Sequence, residues 1–175
     1  MSVSTHLSPE PERRLLIILE SMRQAAQSAD GKAAALTALA AAEAVALKIL
    51  GAGGVFGGLA LILLAACLPL GALAFSPLTK TPKWLPFLEP PVEKSGPDDC
   101  LLEVADLAKA TRADLTLRLD RYLGGGVTAT VYYEDVVGQI ILWARTAARK
   151  QILLDWLCRL VLLGQAGLSL RLLLG

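Results

Sequence analysis

Long uncharged stretches alternate with short polar ones along this chain. From Ile49 to Thr79 no residue carries a charge, and a helix needs about 20 apolar residues to cross a bilayer core. The stretch LGAGGVFGGLALILLAACLPLGALAFSPL therefore predicts a spanning helix near residues 54–75. Pro69 is expected to kink it, with neighbouring helices meeting the freed backbone groups. Just before it, ADGKAAALTALAAAEA (residues 29–44) opens a partner span near residues 32–51. Glu43 falls inside that span, about 16 Å beyond Lys32 at ~1.5 Å per residue. A carboxylate at that depth costs about 3 kcal/mol, so it should face other helices or carry a proton. Lys48 lies closer to the far surface and can snorkel there. The remaining faces are nearly all alanine, which permits close helix approach.

GAGGVFGG (residues 51–58) is not a dinucleotide loop, because no strand precedes it and no phosphate-binding helix follows. Gly51 to Gly54 are read as the turn between the two spans, and Gly57 and Gly58 as sites of close helix packing. SPLTKTPKWLPFLEPPVEKSGPDD (residues 76–99) is a proline-rich linker leaving the bilayer, with Lys80, Lys83 and Trp84 suited to the headgroup region. Pro97-Asp98-Asp99 resembles a helix start. Leu101, Ala105, Ala108, Leu115, Leu119 and Tyr122 then recur at helical spacing until Gly124–Gly126 stop them. DLTLRL and VTATVYY also alternate, so a hairpin across the glycines is the competing reading. From Tyr132 onward a long helix is predicted. Its first half carries Arg145, Arg149 and Lys150, and its second half is apolar enough for a third span near residues 153–174. Asp155 and Arg159 stand one turn apart there and can pair.

These elements predict an all-α membrane protein: three transmembrane helices with a cytoplasmic helical segment between the second and third. The expected division is a cytoplasmic N-terminal helix (1–31), a transmembrane hairpin (32–75), a cytoplasmic linker and helical segment (76–151) and a third transmembrane helix (152–175). Lys and Arg set the orientation. Arg13, Arg14, Arg23 and Lys32 precede the first span, and the middle segment holds Lys80, Lys83, Lys94, Lys109 and several arginines. The N-terminus and the middle segment are thus expected in the cytoplasm and the C-terminus outside.

Composition adds mainly exclusions. The 175 residues are 54% hydrophobic but only 5% aromatic, with a mean hydropathy of +0.54; the excess lies in Leu and Ala, as in helices apolar all round. A net charge of +1 and the lack of a basic run with interleaved aromatics give no sign of nucleic-acid binding. The three cysteines, Cys67, Cys100 and Cys158, have no paired spacing, so neither a disulfide frame nor a zinc site is expected. His6 is the only histidine, which argues against His-based metal sites and Ser-His-Asp or Cys-His catalysis. No metal, no cofactor and no enzymatic activity are expected, and no signal peptide is apparent at the N-terminus.

With the elements in this order, the chain resembles a known family. SADGKAAAL (residues 28–36) forms a polar-to-spanning junction, and a second span ends near Pro77. After the cytoplasmic segment, YEDVVGQ (133–139) and ARTAARKQILL (144–154) lead into the last span. This arrangement is similar to the membrane effector of Pycsar, the bacterial anti-phage system in which a pyrimidine cyclase makes cyclic CMP or cyclic UMP. The resemblance runs from about Arg23 to Leu170. It implies a multi-pass inner-membrane protein, functionally linked to a cyclase, that responds to the cyclic nucleotide and impairs the membrane, so that the infected cell stops or dies.

The resemblance supplies no nucleotide-binding residues, so a site is read from chemistry alone. A cyclic monophosphate offers one negative charge and a pyrimidine face. Arginine suits the first through its bidentate fork, and an aromatic ring suits the second. Arg118 and Arg121 lie one turn apart with Tyr122 beside them, Tyr132 and Tyr133 follow the glycines, and Arg145 and Arg149 are again one turn apart. The candidate ligand residues are Arg118, Arg121, Tyr122, Tyr133 and Arg145. The competing reading makes the basic residues positive-inside contacts to anionic lipid headgroups, and for Arg149 and Lys150, at the membrane edge, it is the stronger one. Bridging between subunits would make the protein a homo-oligomer, which is the expected state. A constitutive, holin-like pore and a non-catalytic scaffold subunit of a membrane complex are the competing functions.

Overall fold

A computed structural model describes residues 10–49, 51, 54–76, 85–90, 100–122 and 131–174, with the side chains of residues 10–12, 122, 131, 171, 172 and 174 outside that description. Among the described residues there are five α-helices and no strand: α1 (Glu10–Ile49), α2 (Val55–Ala74), α3 (Val104–Lys109), α4 (Arg112–Tyr122) and α5 (Val131–Leu174), with a 3-10 turn at Pro86–Leu88. DLTLRL lies inside α4, so its alternation is helical; much of VTATVYY is outside the described residues.

α1 runs unbroken for 40 residues, so SADGK sits inside a helix. Gly31 costs roughly 1 kcal/mol there relative to alanine, but the alanines on both sides favour continuation. The helix stops at Gly51, whose φ of 60° is the left-handed conformation that glycine adopts without strain and whose N–H donates to the Lys48 carbonyl. Gly54, at φ 109°, sits in a region open essentially to glycine alone. Gly51 and Gly54, the two ends of the expected glycine turn between α1 and α2, thus both take backbone conformations suited to glycine, while residues 52 and 53 lie outside the described residues. Gly57 is buried, as close packing requires. Gly58 is exposed with open space around it, so within one chain it packs against nothing.

Instead of one helix through residues 101–122, the chain makes two. Ala110 is extended, and Thr111 starts α4 as its N-cap: its hydroxyl accepts from the Asp114 N–H at 3.2 Å and donates to the Asp114 carboxylate at 2.6 Å. That cap satisfies one otherwise orphaned N–H of a new first turn, and helical spacing alone does not reveal it. The Pro97–Asp99 start lies outside the described residues.

The chain forms two compact units that interleave along the sequence. Unit 1 takes the described residues up to Ala26 and those of Glu89–Ala148; unit 2 takes Gln27–Leu88 and those from Arg149 on. Unit 1 has a core of Leu15, Leu19 and Met22 from α1, Leu107, Leu115 and Leu119 from α3 and α4, and Val137, Ile140 and Ala144 from α5. Unit 2 packs α1, α2 and α5 around Ala33, Ala40, Leu64, Cys67, Leu153 and Leu157, with Leu88 of the 3-10 turn inserted among them.

Within unit 2 the contacts define direction. Asp30 meets Lys150 and, further along both helices, Glu43 meets Gln165, so α1 and α5 run parallel. Leu64 lies against Gly164 and Ala60 against Gly167, so α2 runs antiparallel to α5. Glycines permit both approaches: a Cβ on Gly164 would sit 2.9 Å from a Leu64 methyl, and one on Gly71 would sit 2.7 Å from the Thr37 methyl. Small residues set the spacing of this bundle.

Candidate functional site

In unit 1 the candidate ligand residues fall into three settings. Arg121 is exposed on α4, and Arg118, one turn earlier, is half-buried and already engaged. Tyr122 closes α4, with its side chain outside the described residues. Tyr133 is only 3% exposed, in the core beneath α4 rather than on a surface. Burial raises the pKa of its hydroxyl above the usual 10.0, and the Asp120 carboxylate adds to the effect, so the phenol stays protonated at neutral pH. Asp120 itself has one buried carboxylate oxygen without a hydrogen-bond partner among the described residues.

Arg145 does something the sequence did not suggest. Its guanidinium donates to the carbonyls of Ala108 at 3.2 Å and Ala110 at 3.5 Å, at the end of α3 and the start of the break before α4. Those carbonyls terminate a helix and have no partner within it, so Arg145 fixes the corner from which α4 departs. Arg112, at the start of α4, lays its guanidinium over Gly138 of α5, where a Cβ would collide with it. Arg118, Arg121 and Arg145 thus belong to one unit, two of them carried by α4 and the third holding α4's root.

Unit 2 reverses the usual burial. Much of its exposed surface is apolar: Val55 is 84% exposed, and Leu59, Ile62, Leu162, Leu163 and Leu173 are also open. Its interior is an apolar cluster that also encloses polar pairs. Lys150 Nζ donates to both carboxylate oxygens of Asp30, at 2.5 and 2.7 Å, with the lysine end buried and the aspartate half-buried. Gln165 Nε2 donates to Glu43 Oε1 at 2.8 Å, while Oε2 is buried without a partner among the described residues. Thr37 Oγ1 donates to the Ala33 carbonyl, keeping its hydroxyl satisfied inside α1. Asp30 to Glu43 is 13 residues and Lys150 to Gln165 is 15, so the two polar pairs are separated by roughly 20 Å along the helices.

The lipid-headgroup reading of Arg149 and Lys150 needs correction. Both are buried, and Lys150 is held by a carboxylate 120 positions away in the chain. Asp30 and Glu43 were visible in the sequence as charges out of place, but their partners were not. Gln165 carries no charge, so no local pattern marks it. Arg159, one turn beyond Asp155, lies over the Trp156 ring.

Among the described residues two helices are long and apolar enough to cross a membrane, α2 and the Tyr132–Leu170 part of α5; only 28% of the most apolar stretch of each is buried within the chain. α5 is about 66 Å long, twice a hydrocarbon core, and its charge-poor part follows Lys150. α1 falls outside this group because Asp30, Lys32, Glu43 and Lys48 interrupt it and alanine adds little hydropathy.

The family model of the Pycsar effector protein domain matches residues 14–175. The chain belongs to this family. No curated protein and no solved structure matches it. The Pycsar match covers nearly every residue from α1 to the C-terminus, so both units lie within one family domain. Membership makes the protein an effector of anti-phage defence, linked to a cyclase and to cyclic-nucleotide signalling, and agrees with the two apolar helices in associating it with a membrane.

Proposed function

We propose that the protein is a three-span inner-membrane effector that answers a cyclic pyrimidine nucleotide, cyclic CMP or cyclic UMP, by impairing the membrane and arresting or killing the infected cell. The reversal of burial in unit 2 carries this reading. An apolar exterior is stable in lipid and costly in water, and Glu43 can lie at mid-depth because Gln165 of α5 meets it inside the bundle, while Asp30–Lys150 joins the same two helices at the cytoplasmic edge of the spans. α1, too polar to qualify alone, crosses with Glu43 turned to α5, while Lys32 and Lys48 stand exposed toward the two ends of its span. The proposed divisions are a cytoplasmic N-terminal segment (1–31), the α1–α2 hairpin (32–75), a cytoplasmic segment (76–151) and the last span (152–175).

The nucleotide acts on the cytoplasmic segment. Arg121 and Arg118 receive the phosphate from one face of α4, and the tyrosines at 122 and 133 receive the base. Because Tyr133 is enclosed, stacking on it requires α4 to move from α5, and Arg145 holds that contact closed through Ala108 and Ala110. A ligand that binds the opened arrangement better than the closed one shifts the balance between them. Binding shared between copies would couple this opening to assembly of a homo-oligomer.

Dye-filled liposomes carrying the purified protein test this. Cyclic CMP or cyclic UMP is expected to release dye, and Arg121→Ala to abolish the response while leaving reconstitution intact. Equal leakage without nucleotide would instead favour a constitutive pore. Absence of both leakage and calorimetric binding would leave a scaffold subunit.

A further inference from the structure

One exposed patch on unit 2 sets a cation among aromatic rings. Trp156 of α5 is 46% exposed and Phe87 of the 3-10 turn is 52% exposed. Their rings meet edge to face at 6.4 Å. Phe87 is fixed there because its neighbour Leu88 is fully buried in the cluster that holds Leu153 and Leu157. Arg159 lies with its guanidinium carbon 5.6 Å from the Trp156 ring centre. Among the described residues no carboxylate or carbonyl accepts a hydrogen bond from it. Leu162 and Leu163, one turn further on, are exposed.

A guanidinium lying on an indole face keeps its in-plane N–H edge free, and that edge matches two phosphate oxygens. The contact also has a direction. Arg159 reaches back over Trp156, three residues nearer the start of α5, so its charge is displaced toward the Lys150 end of the helix, as a snorkelling arginine is. On a surface this apolar the counter-charge must come from outside the chain. Asp155, one turn earlier, is exposed and forms no ion pair with Arg159 among the described residues, so it does not supply that charge. Tryptophan beside arginine also fits the glycerol level of a bilayer, where one end of the ring is apolar and the other wet.

We infer that Trp156, Arg159 and Phe87 form a binding site for an anionic phospholipid, with Arg159 on the phosphate and the two rings among the glycerol and upper acyl chains. This rests on the membrane reading of unit 2 but not on nucleotide gating. A full-length Trp84→Phe/Trp143→Phe variant leaves Trp156 as the only tryptophan. It is reconstituted in neutral phosphatidylcholine vesicles doped with brominated phosphatidylglycerol or, separately, brominated phosphatidylcholine. Quenching of Trp156 is expected to be at least about twofold stronger with the anionic lipid, and Arg159→Gln should remove the difference. Native mass spectrometry of the otherwise unaltered chain should show phosphatidylglycerol retained, and Arg159→Gln losing it. Equal quenching by both lipids, or a preference that survives Arg159→Gln, overturns the site, as does loss of the preference on adding inorganic phosphate at matched concentration, which would mark a free-anion site. Flotation separates the two readings: protein that floats with vesicles but shows no preference sinks the lipid site alone, whereas protein that does not float sinks the membrane reading and the site with it.

Discussion

Glu43 has a partner, and that partner is uncharged. Gln165 satisfies one carboxylate oxygen and leaves the other buried without one among the described residues. A hydrogen bond between membrane helices is worth roughly 0.6–2 kcal/mol. Glu43→Gln keeps an acceptor for the Gln165 amide, so expression and assembly should stay near normal. Glu43→Leu strands that amide in an apolar interior and should change the oligomer distribution seen by cross-linking or size exclusion; an unaltered distribution would deprive the carboxylate of a role. Gly71 makes a second point at this scale. A Cβ there would lie 2.7 Å from the Thr37 methyl and 3.0 Å from Thr37 Cβ, too close for either helix to ignore. Gly71→Ala should destabilise the fold by about 1–3 kcal/mol through overpacking, and Thr37→Ala should recover most of that loss in a thermal melt of the double variant. Tyr133 predicts an alkaline effect. Its pKa is raised in the folded state by burial and then by Asp120, so the stability it contributes is complete below pH 10 and falls away as pH rises beyond it. Tyr133→Phe should flatten that decline in a melt series above pH 10.

The elements of unit 2 were largely legible in the sequence, whereas their pairings were not. The uncharged run from Ile49 to Thr79 gave α2 its place, the glycines gave the turn, and the apolar half after Lys150 gave the end of α5, because each follows from local hydropathy and backbone freedom. Asp30–Lys150 joins positions 120 apart, and nothing local to either announces the other. The break at Ala110 was hidden for a similar reason, since a threonine cap competes with a helical repeat that continues on both sides of it. The candidate arginines were legible as residue types, but only their placement separates Arg121, open on α4, from Arg145, occupied at its root. At this scale the Asp30–Lys150 pair is the contact to test. Lys150→Ala leaves a half-buried carboxylate alone, at a cost between the ~1 kcal/mol of an exposed pair and the ~3 kcal/mol of a broken buried one. Asp30→Lys should disable phage protection in cells. Combining it with Lys150→Asp should restore protection if the pair aligns α1 with α5, and failure of the swap to rescue would show that the two charges act separately.

For the whole molecule, the parallel course of α1 and α5 in unit 2, with α2 running back between them in sequence, fixes what a membrane would see. If all three cross, the number of crossings is odd, and the chain ends on the side opposite its start. Lysines and arginines then choose the side: Arg13, Arg14, Arg23 and Lys32 before the first crossing, and the basic residues between α2 and the apolar half of α5, both favour the cytoplasm. Only Lys48 lies near the opposite turn, and it is exposed at the end of α1, where it can reach the surface. Two crossings would instead return the C-terminus to the cytoplasm. That arrangement would leave the apolar end of α5, with Leu162, Leu163 and Leu173 exposed, in water, or would take α1 with Glu43 out of the bilayer and remove the reason for its pairing with Gln165. Reporter fusions decide between these. A fusion after residue 95 should read as cytoplasmic and one at the C-terminus as periplasmic. A cytoplasmic C-terminus would eliminate the third span and the account of Glu43 and Gln165 as a pair within lipid, while leaving the family membership and the packing of unit 1 untouched.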